Sequence, residues 1–415
     1  MRYQTWSLCF CIVAFSAALI GCSGTVTIPG STVHSFSAFD ALKNGFRVLF
    51  SFTVNNHAGF QPWAGLTSLN GDLYGMASGG GRHRFGTVFE ITPSGAEQTV
   101  YNFRGGADGA YPDVSMITAR GILYGTTPNG GGPSQRHDHL CSGQGCGTVF
   151  EIDRSGGERV LHRFQSQIDG ALPGGQLLFF KGEIFGTTRA GGTHDRGTVF
   201  VINAAGKERV IHSFSGIDGD TPASGLVRFA GAFYGTTYDG GSTSCGSVYR
   251  ITSSGEQKVV YSFKCTPDGA FPSGELLSLN GRLYGTTYSG GTVDSRFCLS
   301  GEGCGTVFSL SSTGNERVIY RFKGQKDGDN PEAGLVAING LMYGTTYFGG
   351  LNPYSEGAVF QVTQHGKRRI LHSFGSYAGD GTSPRAGLVV LGDTLYGTTF
   401  SGGEYDNGTV FEISP

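Results

Sequence analysis

An aromatic residue followed by glycine recurs seven times along the chain, at Tyr74, Tyr124, Phe185, Tyr234, Tyr284, Tyr343 and Tyr396. The intervals are 50, 61, 49, 50, 59 and 53 residues. Most copies read like residues 283–291, LYGTTYSGG. A second landmark, GTVF or a close variant, follows each one, starting at Gly86, Gly147, Gly197, Gly246, Gly305, Gly357 and Gly408. The gap between landmarks is 12 residues in four copies and 23, 21 and 14 in the others, so insertions of 11 and 9 residues at one place explain the two long intervals. A period of about fifty residues with one tolerant loop marks a stacked repeat architecture that uses the whole chain as one domain.

Each unit offers four β segments. In the fifth these are residues 274–280, 282–288, 305–310 and 316–322. Asn280-Gly281 joins the first two, and both residues favour the positive φ of a two-residue hairpin. No stretch shows the 3.6-residue apolar period of a helix. The third segment is apolar on both faces, with Val307 beside Phe308, whereas the fourth alternates Arg317, Ile319 and Arg321 with Val318, Tyr320 and Phe322. Doubly buried inner strands and a polar outer strand, repeated seven times, are what β-propeller blades require. The chain ends supply a sharper expectation. The last unit stops at residues 408–415 without a fourth strand, and a spare strand, FRVLFSF at 46–52, matches RRILHSF at 368–374. The expected fold is therefore all-β: a seven-bladed β-propeller of four-stranded blades over residues 46–415, closed by an N-terminal strand completing the last blade. Within the repeat, Gly285 is expected to let neighbouring blades approach, and Gly290-Gly291 to turn the chain into the variable loop.

Glycine reaches 72 of 415 residues, but it is interleaved with Val, Phe, Tyr and Ile, as in a turn-rich β protein rather than a linker. The formal charge is −2 and the Lys and Arg residues are scattered, which argues against a nucleic-acid partner. At the N-terminus, Arg2 precedes an apolar run at 8–21 that ends in Leu19-Ile20-Gly21-Cys22. This pattern resembles a bacterial lipobox. It assigns residues 1–21 to a lipoprotein signal peptide, Cys22 to lipidation and residues 22–45 to a lipidated tether. Ser23, in place of Asp, points to the outer membrane or cell surface of a bacterial envelope. Six further cysteines fall into local pairs, Cys141 with Cys146, Cys245 with Cys265 and Cys298 with Cys304, expected as disulfides in an oxidising compartment.

LYGTT-x-x-GG, then GTVF, then an aromatic strand ending before Asp-Gly and Pro, resembles the tandem repeat called the Gloeo/Verruco, or GloVer, repeat of exported bacterial proteins. The likeness covers nearly all of residues 46–415. It implies export and a surface anchor, of which a lipobox is one kind, and it implies no particular activity.

Loops joining strands two to three and four to one share one face of a propeller, and ligand contacts are expected there. On that face the residue after the threonine pair is aromatic in four consecutive units, Tyr238, Tyr288, Tyr347 and Phe400, with Arg189 in the unit before and Ser78 and Pro128 in the first two. Such an arc can stack sugar rings or cover gaps between blades. Asp-Gly occurs six times, at Asp108, Asp169, Asp218, Asp268, Asp327 and Asp380, and is read as an Asx turn rather than a ring of acids for calcium or acid–base chemistry. His137, Asp138 and His139, in the second unit's insertion, form the one alternative metal set, and no cofactor is expected. No Gly-x-Ser-x-Gly elbow, His-Glu-x-x-His pair or phosphate-binding loop is present. The expected function is a non-catalytic binding or interaction module for extracellular glycan or a protein partner, monomeric and attached to the membrane by its lipid. The alternative is a carbohydrate-active hydrolase or lyase near the propeller axis, for which two carboxylates, or His and a carboxylate, would converge within about 5–10 Å.

Overall fold

A computed structural model describes residues 45–415 apart from 55–56, 133–140, 142–143, 292–297, 299–301 and 352–355. The signal segment, Cys22, the tether up to residue 44 and the His137, Asp138 and His139 set lie outside the described residues. Seven antiparallel sheets form the blades of a propeller; each has the four strands of the repeat, and in blade 3 Ala171–Pro173 adds a fifth by pairing with the end of the second strand. Blade 5 consists of Leu277–Leu279, Arg282–Thr287, Thr306–Leu310 and Glu316–Arg321. The first strand pairs over only three residues, Leu277↔Tyr284 to Leu279↔Arg282, so the chain before it is free to leave the ladder. First strands of neighbouring blades lie against one another at six of the seven interfaces, that of blades 7 and 1 included.

The ring closes as its repeats demand. Phe46–Ser51 pairs antiparallel with Thr409–Ile413 and becomes the fourth strand of blade 7. An Arg47–Glu412 ion pair at 2.8 Å clasps the outside of this seam. Closure leaves the last blade no unpaired inner edge.

The hydrophobic core is seven layers, one at each blade interface. Between blades 4 and 5, Tyr234, Val248 and Phe263 meet Leu276, Leu283, Phe308 and Leu310. At every interface the phenylalanine ending a fourth strand meets, edge to face, the ring of the next blade's GTVF segment. The centroids are 5.0 Å apart for Phe263–Phe308 and 5.1 Å for the closing pair Phe52–Phe89. Edge-to-face pairs add roughly 0.5–1.5 kcal/mol beyond area burial.

Two glycines of the repeat do different work, and one of them corrects the sequence reading. A Cβ on Gly285 would lie 2.7 Å from Phe308 Cζ, its cross-strand neighbour in the same blade. Gly285 thus makes room for a ring inside its blade rather than letting blades approach. The close approach occurs at Gly305, where a Cβ would lie 2.7 Å from Cδ of Pro331 in the next blade. The threonine pair also divides its labour. Thr286 Oγ1 donates to Ala333 O of the next blade at 2.8 Å, and Thr398 Oγ1 donates to Ala64 O at 3.0 Å across the seam. Thr287 instead bonds Thr306 of its own third strand at 2.9 Å.

The three disulfides join Cys141 to Cys146, Cys245 to Cys265 and Cys298 to Cys304, the expected pairs.

Candidate functional site

The strand 2–3 and strand 4–1 loops share a face and are stitched together by short antiparallel bridges, Ala270↔Ser289 in blade 5 and Asp329↔Phe348 in blade 6. Each strand 4–1 loop ends in x-Pro-x-x-x-Leu or a close variant. The residue before the proline has a left-handed φ in all seven blades: Gln61, Tyr111, Leu172, Thr221, Phe271, Asn330 and Ser383, at 53–59°. That turn places the residue after the proline at the axis. Every blade contributes it to one cavity of about 320 Å³: Trp63, Asp113, Ser273, Glu332 and Arg385, with only Gly174 and Ala223 from blades 3 and 4. Arg189, Tyr238 and Tyr288, following the threonine pairs of blades 3 to 5, complete the wall.

The cavity is strongly cross-linked. Arg189 pairs with Asp113 at 2.9 Å and Arg385 with Glu332 at 3.3 Å. The Arg385 guanidinium lies over Tyr347 at 4.0 Å and Trp63 at 4.2 Å, with Phe400 at 5.6 Å, and donates to Tyr347 Oη at 2.7 Å. Such stacking, partly desolvated, contributes roughly 0.5–2 kcal/mol. Burial pushes the Glu332 carboxyl up, and the Arg385 charge opposes it. Glu275, from the loop entering blade 5, has no arginine partner among the described residues. Burial raises its carboxyl despite the backbone N–H groups of Glu275 and Gln176 that bond it. Burial also pushes Tyr238 to about 12, helped by Tyr288, Asp239 and Glu332, so it stays a neutral donor near neutral pH.

The sequence-expected arc therefore converges on one place. Arg189, Tyr238 and Tyr288 line the cavity, and Tyr347 and Phe400 back it through Arg385 and Trp63. The rings also bridge blades: Tyr238 stacks on Phe271 at 5.0 Å, and Phe400 meets Trp63 edge-on at 4.9 Å. The residues after the prolines, and Glu275, escaped the sequence reading. Their signal was present, since aligning the seven x-Pro-x segments shows Trp, Asp, Gly, Ala, Ser, Glu and Arg at one position of an otherwise uniform loop.

The six Asp-Gly carboxylates accept backbone N–H groups, as a turn role requires, but from residues that precede them in the chain. Asp108 accepts the N–H of Arg104 at 3.0 Å and Asp268 that of Lys264 at 2.9 Å, four residues earlier rather than later. Each also binds a tyrosine or histidine of the preceding outer strand, as in Tyr101 Oη–Asp108 at 2.8 Å and His162 Nε2–Asp169 at 2.9 Å. In blade 3 the first outer-strand residue, Glu208, brings a third donor atom within 4.8 Å of His162 and Asp169.

A model of the Gloeobacter/Verrucomicrobia repeat matches residues 25–136, 141–352 and 297–415, nearly the full length of the ring. The chain belongs to that repeat family. No curated protein matches it in sequence. Among solved structures, puromycin hydrolase is similar at 13% identity with a TM-score of 0.48, over 80% of this chain and 49% of that one. A putative 6-phosphogluconolactonase from Bacteroides uniformis is similar at 14% identity with a TM-score of 0.48, over 75% of this chain and 84% of that one. The repeat protein thus spans about half the length of puromycin hydrolase, and likeness at this level carries nothing about activity.

Proposed function

We propose that this repeat-family propeller is an exported, lipid-anchored binding module whose axial cavity holds a sugar residue of an extracellular glycan. The observation that carries the reading is the cavity wall, where two half-buried tyrosines stand beside two carboxylates already neutralised by arginines. A sugar offers a weakly apolar face and a fan of hydroxyls. Tyrosine faces and oxygens answer the first and second of these, and fixed Arg–carboxylate pairs answer the hydroxyls without needing a charged ligand. The disulfides support an oxidising compartment, and the Leu-Ile-Gly-Cys segment supports a lipid anchor.

A glycan-array screen of residues 46–415, which contain every strand of the ring, tests this. Hits that weaken at least about tenfold in Tyr238→Ala or Tyr288→Ala, with little change in thermal midpoint, are expected. Unchanged affinity with lost stability would return these rings to a purely structural role.

A second reading, a carbohydrate-active hydrolase or lyase, draws on Glu275 alone, the carboxyl raised by burial and paired with no arginine among the described residues. Product analysis of the array hits separates the two. The binding module returns its glycans intact, whereas an enzyme yields fragments that disappear with Glu275→Gln.

A further inference from the structure

The aromatic wall of the cavity is incomplete, and the gap opens onto a second hollow. The residues after the first two threonine-pair positions are Ser78 and Pro128, where blades 4 to 7 carry rings. Over these small residues lies a groove of about 930 Å³ across blades 1 and 2. Trp63 and Asp113 line both the groove and the axial cavity, so the two adjoin.

The groove differs from the cavity in charge. Phe60 and Tyr111 supply aromatic surface, and Arg82, Arg84 and His57 stand at its edge. Among the described residues that line it, Asp113 is the one carboxylate, and it is already taken by Arg189. Among the described residues, no carboxylate pairs with the guanidinium of Arg82 or Arg84. The loop that carries them is built rather than loose: Arg82 N–H donates to Asn102 at 2.8 Å, and Gly86 N–H to Gly80 O at 3.1 Å. Phe85, between the two landmarks, packs edge-on to Tyr111 at 5.7 Å. The outcome is an axial pocket holding two Arg–carboxylate pairs and Glu275, adjoined by a trough with aromatic surface and arginines that no described carboxylate pairs.

We propose that cavity and groove together bind an extended anionic oligosaccharide, a chain of uronate sugars, with one sugar seated at the axis and the following carboxylates read by Arg82 and Arg84. This rests on the axial cavity being a sugar site. Guanidinium groups suit carboxylates because their paired N–H donors match the two oxygens, and aromatic rings suit the sugar faces between them. A neutral glycan would leave both arginines unanswered, and neither arginine lines the axial cavity where a single uronate would sit.

Calorimetric titration of residues 46–415 with galacturonic acid, its linear hexamer and a neutral galactose hexamer tests the assignment. The acidic hexamer is expected to bind at least about tenfold more tightly than the monomer and than the neutral hexamer, and this advantage falls as salt is raised. Ser78→Tyr extends the wall with a residue that Tyr238, Tyr288 and Tyr347 show the repeat accepts. It should drive the hexamer-to-monomer affinity ratio toward one, as should the double variant Arg82→Gln/Arg84→Gln. Equal affinity for acidic and neutral hexamers, or no gain with length, overturns the proposal while leaving the axial sugar site standing. A length-dependent gain that survives both variants overturns the groove as its location. If neither the acids nor any array glycan binds, the axial reading falls with it.

Discussion

Gly285 and Tyr288 lie three residues apart in the same repeat string, and they obey different rules. The first position is glycine in all seven blades because a Cβ would strike the aromatic ring opposite it, at 2.7 Å in blade 5 and 2.4 Å at Gly75 in blade 1. The second is Ser, Pro, Arg, Tyr, Tyr, Tyr and Phe around the ring. Packing within the blade dictates the first position and makes no uniform demand on the second. Where seven copies of one framework differ, no single framework demand fixes the residue. One set of such differing positions meets at the axis.

That contrast predicts a graded series of effects. Phe308 is fully buried and touches both its own blade and Phe263 of the previous one. Phe308→Ala should cost about 3–5 kcal/mol, the largest loss of any single change considered. Gly285→Ala should follow at about 1–3 kcal/mol, because Phe308 must move for the methyl to fit. Thermal midpoints would break the comparison if Tyr288→Ala lowered stability as much as Gly285→Ala does.

Arg385→Ala probes the boundary between the two kinds of position. Arg385 sits at the variable mouth, yet it holds Glu332, Tyr347, Trp63 and Phe400 together. Its loss should cost about 1–2 kcal/mol, less than the roughly 3–5 kcal/mol of breaking a fully buried pair, because the Glu332 carboxylate it leaves unpaired is only partly buried. Glu332→Gln in the same background should restore part of that loss. Glycan affinity should fall in the single and double variants alike. Full recovery of binding in the double variant would show that the guanidinium stack does not shape the cavity.

Much of the framework was legible in the sequence because its causes are local. Asn280-Gly281 sets a hairpin, the period of about fifty residues sets the blade, and the unpaired strands at the two ends of the ring set the closure. The three disulfides were legible because each joins cysteines close in sequence. The arc of Tyr238, Tyr288, Tyr347 and Phe400 was visible as a column of differences. Its convergence was not, because Trp63 and Arg385 lie more than 300 residues apart and meet only when blade 7 closes on blade 1. Gly285 was assigned to the wrong neighbour for the same kind of reason. A glycine shows that something comes close, and only the strand register shows that it is Phe308.

Variation among copies is not by itself the mark of a site, and the outer rim supplies the control. The first residue of the fourth strand is Glu97, Glu158, Glu208, Gln257, Glu316 and Arg368 in blades 1 to 6 and Phe46 in blade 7. These residues serve the interfaces in different ways: Gln257 donates to Asp218 O at 3.0 Å, and Arg368 pairs with Asp327. Burial pushes Glu208 and Glu316 up to about 7, with Asp169 and Asp268 respectively reinforcing the shift. In the unfolded chain these carboxyls titrate near 4.5, so the folded state holds their protons more tightly. Their contribution to stability is therefore full below pH 4.5 and is lost as pH rises through about 7. Both side chains are only half-buried, so solvent screening leaves a fraction of the full linkage, the smallest effect of the series. The double variant Glu208→Gln/Glu316→Gln should lose less thermal stability than the parent chain between about pH 5 and about pH 8, while glycan affinity stays unchanged. A change in affinity would mean that the rim and the axis are coupled, and that the separation between packed and variable positions is incomplete.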